Sequence, residues 1–154
     1  MDIAEIDKLP CAQRFSKRVI LKVAEIVDVS VHPGGSFLYV LTLNTNEEEN
    51  RQIVSSIVPF YKPEELLHKN IVLVYNLKPA NFRGIRSNGM LLAASDPNVP
   101  EETCEVIFAP QFPVGTILEP EGFFPSQEKL CYVKPDTFFE MEMKLVKEEA
   151  EQNK

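Results

Sequence analysis

Tryptophan is absent from these 154 residues, and histidine (His32, His68) and cysteine (Cys11, Cys104, Cys131) are scarce. The three thiols are odd in number, far apart and outside any CxxC or Cys/His spacing, so neither a disulfide framework nor a zinc site is encoded. No P-loop, paired-glycine phosphate cradle or HxxE spacing occurs. A Cys/His nucleophile would need distant residues brought together by the fold. His32 instead precedes Pro33 in a turn and His68 ends a short helical stretch, which are structural positions. No catalytic residue, cofactor or metal is therefore expected. Long apolar runs are missing too, none approaching the roughly 20 residues needed to cross a bilayer. The acidic opening Met1-Asp2-Ile3-Ala4-Glu5 is unlike a signal peptide. The expectation is a soluble, cytoplasmic chain with reduced thiols and no membrane contact.

Positive charge is in short supply overall. A formal net charge of -7 taken alone argues against a nucleic-acid partner, because Lys and Arg supply most phosphate affinity. The deficit is local, however. Residues 1–95 carry 11 basic and 10 acidic side chains, whereas residues 96–154 carry five basic and 13 acidic. Arg14, Lys17, Arg18 and Lys22 lie in a stretch without an acid between Asp7 and Glu25, and Lys78, Arg83 and Arg86 in another over 78–88. Two basic segments persist in an acidic chain.

At 44% apolar, the chain has material for one core. Odd positions from 19 to 31 read Val, Leu, Val, Glu, Val, Val, Val, while Lys22, Asp28 and Ser30 are even, the alternation of a half-buried strand with its odd side apolar. A turn at His32-Pro33-Gly34-Gly35 follows. Further strands are predicted over 37–43, 52–58, 71–77 and 89–94, with Glu47, Glu48 and Glu49 at a solvated hairpin tip. A short helix is predicted over 63–69, because Pro63, Glu64 and Glu65 suit a first helical turn. Five strands with a helix between the third and fourth is the plan of the all-β OB-fold, which binds oligonucleotides on one face and through its first and fourth connections. The fourth connection is the basic stretch 78–88. Seven prolines between 96 and 135, interleaved with aromatics, read as an ordered wrapping extension, since disordered tails are poor in aromatics. The expected organisation is an N-terminal segment 1–17, a barrel 18–95, an extension 96–139 packed on it and an acidic tail 140–154.

The words Arg51-Gln52-Ile53-Val54-Ser55-Ser56-Ile57-Val58 and Tyr61-Lys62-Pro63-Glu64-Glu65-Leu66 are distinctive. So is Asn76-Leu77-Lys78-Pro79-Ala80-Asn81-Phe82-Arg83-Gly84-Ile85-Arg86-Ser87-Asn88-Gly89-Met90. With Val31-His32-Pro33 and Leu38-Tyr39-Val40, they closely resemble the tRNA-binding domain of the endothelial monocyte-activating polypeptide II family. That domain is appended to methionyl-tRNA synthetases and some tyrosyl-tRNA synthetases, and occurs in synthetase cofactors and small free-standing bacterial proteins. On the first strand this sequence departs from the family's Asp and "Arg-Val-Gly" word, having Ile20, Lys22 and Ala24.

The resemblance implies a binding module without catalysis that holds or delivers tRNA, selecting structure rather than sequence, for an aminoacyl-tRNA synthetase, above all methionyl-tRNA synthetase. It places Asn76, Lys78, Arg83, Arg86, Ser87, Asn88 and Met90 where a family member contacts tRNA, with Arg51, Lys62, Lys22 and Phe82 as a second tier. Their types suit RNA binding, since cations neutralise phosphates, Asn and Ser bond sugar and base edges, and Phe82 or Met90 offers a surface for unstacked bases. The extension would cover the surface on which shorter relatives dimerise, leaving a monomer. The alternative is a protein-interaction or cytokine-like module on the same fold.

Overall fold

The computed structural model describes residues 3–96, 98, 99 and 101–118, and its central element is an 11-residue strand, β1 (Leu21–Val31). It pairs antiparallel with β2 (Tyr39–Asn44) on one side and β4 (Asn70–Val74) on the other. Beyond β2 lies β3 (Arg51–Ser55), and beyond β4 lies β7 (Met90–Leu91), giving the order β3-β2-β1-β4-β7. Helix α3 (Pro63–Leu66) sits between the third and fourth barrel strands, so the chain has the expected OB-type architecture. The helix is shorter than predicted. His68 turns left-handed at φ 64 and gives its N–H to the Ile26 carbonyl at 2.7 Å, which ends the helical path.

The parity expected of β1 is reversed in its first half. Ala24 and Ile26, on even positions, enter the barrel core with Leu41, Leu43, Ile53, Ile71 and Leu73, whereas Val23 packs outside with Val72 and Ala109. A bulge between Ile26 and Asp28 then inserts one residue. An extra residue exchanges the two faces of a strand, and past it Val29 packs against the barrel core, opposite Leu41. Both faces of β1 are thus apolar for different reasons, the inner one for the core and the outer one for what covers it.

Two segments supply that cover. Helix α1 (Ile3–Ile6) leads into α2 (Cys11–Arg18), a helix where the sequence suggests only a plain segment. Cys11 and Phe15, one turn apart, lay α2 on Val19, Val74 and Leu77. From the other end, β8 (Ala93–Ala94) pairs with β9 (Glu105–Val106). The chain then runs across the barrel, with Ala109 N–H bonding the Asn70 carbonyl at 2.9 Å and Gly115 N–H the Val23 carbonyl at 2.8 Å. It ends on β10 (Ile117–Leu118), which pairs with β1. The wrapping extension is seen as far as 118; residues 119–139 and the acidic tail 140–154 lie outside the described residues.

The connection after β4 is itself a hairpin, β5 (Ala80–Phe82) with β6 (Ile85–Ser87). Side chains sew this hairpin and β7 to β3. Gln52 Nε2 donates to the Arg86 carbonyl at 2.9 Å, and Val54 N–H donates to Ser87 Oγ at 2.9 Å, which in turn donates to the Gly89 carbonyl at 3.0 Å. Arg51 Nη1 donates to the carbonyls of Tyr75 (2.6 Å) and Asn88 (3.1 Å). Glu47, at the tip expected to be merely solvated, holds Arg51: its carboxylate lies 3.3 Å from Arg51 Nε and accepts hydrogen bonds from Thr45 and, at 3.0 Å, from Tyr75 O–H. Burial pushes the Glu47 carboxyl up, but the bonds from Thr45 and Tyr75 and the charge of Arg51 outweigh it, leaving the group below its usual 4.5.

A carboxyl depressed in the folded state adds stability above its ordinary value, and that contribution is lost as pH falls through the lower folded value. Urea midpoints measured from pH 6 downward should therefore fall more steeply below 4.5 for wild type than for Glu47→Gln, which starts from the lower midpoint. Backbone closeness at the seam gives a second test. A Cβ on Gly89, at φ 140, would meet Val74 O and Leu73 Cδ1 at 2.9 Å, whereas one on Gly84, at φ 89, meets nothing within 4 Å. Gly89→Ala should cost about 2–4 kcal/mol by denaturant unfolding, and Gly84→Ala only the left-handed penalty of about 1 kcal/mol.

Candidate nucleic-acid interface

The β5–β6 hairpin turns on two residues of positive φ, Arg83 at 49° and Gly84 at 89°, the sign pattern of a type I′ turn that suits twisted strands. Glycine meets that requirement without cost, so Gly84 suits the turn. Arginine does not, and holding it left-handed costs on the order of 1–2 kcal/mol. Something must fix it there. Arg83 Nη1 bonds the carbonyl of Gly34, in the turn after β1.

That first turn is held from the same direction. His32 is 3% exposed; its Nδ1 accepts the Gly34 N–H at 2.8 Å, which leaves Nε2–H to donate to the Phe82 carbonyl, also at 2.8 Å. Backbone bonds from Gly35 N–H to His32 O, Leu38 N–H to Gly35 O and His32 N–H to Leu38 O close the loop on itself. The first and fourth connections of the barrel, both ligand-binding in OB-folds, thus form a single rim.

Among the residues picked out by sequence, Lys78, Phe82, Arg83 and Arg86 are exposed on or beside this hairpin, with Asn88 and Met90 half-buried next to it. Arg86 Nε donates to Asn88 Oδ1 at 3.3 Å. Lys78 has no ion pair among the described residues. Asn76, at 6% exposure, is turned inward: Oδ1 accepts from Ile20 N–H and Nδ2 donates to the Arg18 carbonyl, each at 2.8 Å, tying the end of β4 to the start of β1. Ser87, at 3%, and Arg51 are committed to the seam. Lys22 Nζ and the Arg51 guanidinium lie 4.4 and 4.0 Å from the centre of the Tyr75 ring, so two second-tier cations rest on one aromatic ring. Lys62 is exposed at the start of α3, on a different connection from the hairpin. Of the N-terminal cations, Arg18 is engaged with Asp7 at 2.6 Å.

Two hollows flank the hairpin. One, of roughly 270 Å³, is mixed in charge and bounded by Glu47, Glu49, Arg51, Arg86 and Asn88. The other, of roughly 470 Å³, is mainly apolar; Leu38 of the first turn, Val54, Phe82 and Met90 are among the residues that line it, and Lys78 is its one charged lining residue. Sequence reasoning misses His32 as the tie between the connections and Leu38 as part of the groove. The histidine-before-proline turn is legible, but its partner lies 50 residues away. No cluster of three or more His, Cys, Asp or Glu suited to a metal occurs among the described residues. Burial pushes the Cys104 thiol up, keeping it protonated and a poor nucleophile. No helix of the described residues is long and apolar enough to cross a membrane.

Comparison with known proteins agrees with this geometry. Residues 21–117 match the family described as "Putative tRNA binding domain". A methionine–tRNA ligase of Treponema denticola is 41% identical over 143 residues, covering 86% of this chain and 18% of the relative, so the chain spans under a fifth of that enzyme's length. Among solved structures, the C-terminal domain of Plasmodium vivax p43 superposes with a TM-score of 0.69 at 28% identity, covering 80% of this chain and 76% of that one. A MetRS-related protein from Pyrococcus horikoshii gives 0.60 at 28% identity, covering 77% and 96%. With the family's pattern spread over the barrel, its rim and the strap of residues 105–117, the chain belongs to the tRNA-binding-domain family.

Proposed function

We propose that the chain binds tRNA through the β5–β6 hairpin and the groove beneath it, and so holds or delivers tRNA for an aminoacyl-tRNA synthetase, methionyl-tRNA synthetase before others, in cis or in trans. The observation that carries this reading is the placement of Arg83 and Arg86 on one exposed hairpin, with Lys78 just before it and no acid over 78–88, in a chain of net charge -7. Lys78, Arg83 and Arg86 meet phosphates, Phe82 and Met90 take unstacked base surface, and Asn88 bonds sugar or base edges. Asn76, Ser87 and Arg51 act one step back, holding the strands that carry these groups, and Lys22 shares Tyr75 with Arg51. Lys62 lies on the periphery. The module has no reaction of its own. Strap residues 105–118 cover Val23 and Val72 on the outer barrel, which supports a monomer over a dimer built on that face.

Binding of this kind is moderate and salt-sensitive. Three to five phosphate contacts give a log K against log salt slope of about -2 to -4, and bulk tRNA species should bind alike. Filter binding of bulk tRNA at two salt concentrations tests the hairpin. Arg83→Ala should weaken binding about five- to fifty-fold and flatten the slope by about one contact's worth. Lys69→Ala, at the opposite end of β4, should match wild type. Equal affinities for all three proteins would remove the hairpin from the interface and favour a protein-interaction module.

A further inference from the structure

We infer that Phe37, on the first turn, is a second aromatic platform of the RNA-binding face and stacks on an unpaired base. This rests on the tRNA-binding reading of the hairpin. Phe37 is 67% exposed, more than any other large apolar side chain among the described residues, Phe82 at 42% included. Its exposure is not that of a loose loop. Leu38 N–H bonds the Gly35 carbonyl at 3.0 Å and His32 N–H the Leu38 carbonyl at 2.8 Å, so Phe37 is the third residue of a closed turn.

The turn is anchored to the hairpin by two contacts, His32 Nε2–H to the Phe82 carbonyl and Arg83 to the Gly34 carbonyl. Phe37 is three residues from Gly34, so the two Cα atoms are at most about 11 Å apart. Its neighbour Leu38 lines the mainly apolar groove that Phe82, Met90 and Lys78 also line. The occupant must therefore carry flat apolar area together with negative charge. A nucleotide has both, a base for Phe37 and a phosphate for Lys78 or Arg83. Acidic side chains are missing from the first turn, the hairpin and the groove lining alike. Aromatic stacking tolerates any base because every base has a π-face, which suits a module that selects tRNA by shape. His32 is the positioning residue: it carries the turn, and with it Phe37, to the hairpin.

Charge and stacking contacts leave different signatures. Loss of a phosphate contact lowers the salt slope, whereas loss of a stacked base lowers affinity at every salt concentration without changing the slope. Wild type, Phe37→Ser, Phe37→Tyr and Arg83→Ala are titrated against bulk tRNA and against a blunt, fully paired RNA duplex at two salt concentrations, with urea midpoints measured in parallel. The expected result is that Phe37→Ser binds tRNA about ten-fold more weakly at an unchanged slope, binds duplex like wild type, and keeps the wild-type midpoint. Phe37→Tyr should restore tRNA affinity. Wild-type affinity of Phe37→Ser for tRNA, an equal loss on duplex, or a lowered slope would each overturn the stacking role. In those cases a weakened Arg83→Ala leaves the hairpin reading standing, and failure of wild type to bind tRNA at all would overturn both.

Discussion

Between β3 and the strands that face it across the barrel there is no continuous backbone ladder, so the polar groups along that edge need other partners. Unsatisfied and buried, each would cost about 1–3 kcal/mol. Beside one backbone bond, from Asn88 N–H to the Gln52 carbonyl at 2.9 Å, side chains meet the need: Gln52 reaches Arg86 O, Ser87 bridges Val54 N–H and Gly89 O, and Arg51 spans Tyr75 O and Asn88 O. Glu47 secures Arg51 in turn. The β5–β6 hairpin stands on this seam, and so do the cations it carries. A residue such as Ser87 can therefore matter to binding without touching the ligand, because it sets the height and tilt of the strand bearing Arg86.

The same arrangement explains how an acidic chain keeps a basic face. Part of its positive charge is used internally: Arg51 on Glu47 and Tyr75, Lys22 on Tyr75, and Arg18 on Asp7. Ion pairs near the surface contribute little stability individually, but these withdraw cations from the solvent. What stays outward on the rim is Lys78, Arg83 and Arg86, three charges on or beside one hairpin. On the proposed reading, phosphate attraction is concentrated on that small area of a chain whose net charge is -7.

Much of the fold is legible in sequence because the barrel strands are rich in Val and Ile and the breaks carry Pro, Gly, Asn and Glu. The first strand shows the limit. Its alternation suggests one apolar side, but Ala24 and Ile26 point into the core and Val23 out of it until the bulge restores odd parity at Val29. Periodicity records that a face is apolar without saying which partner covers it. Helix α2 escapes notice because its pattern is short, although Pro10 ahead of Cys11 and the one-turn spacing of Cys11 and Phe15 carry the signal. For the site, residue type locates the basic hairpin but cannot separate outward from inward groups. Asn76 and Ser87 look like RNA-contacting polar residues in one dimension and are 6% and 3% exposed in three.

Distance along the chain hides the most consequential tie. His32 and Phe82 are 50 residues apart, and Arg83 and Gly34 are 49 apart. Each contact alone is a single hydrogen bond, worth about 1 kcal/mol net. Together they do what neither loop can do separately. The hairpin keeps Arg83 in a left-handed conformation it would otherwise leave, and the first turn gains a buried histidine as its floor. Two loops fixed to each other lose little further freedom when a ligand spans them, so on the proposed reading the protein adds little ordering cost to binding. A rim rigid in this sense favours a ligand that is itself preformed, which is the character of a folded RNA and not of a flexible strand.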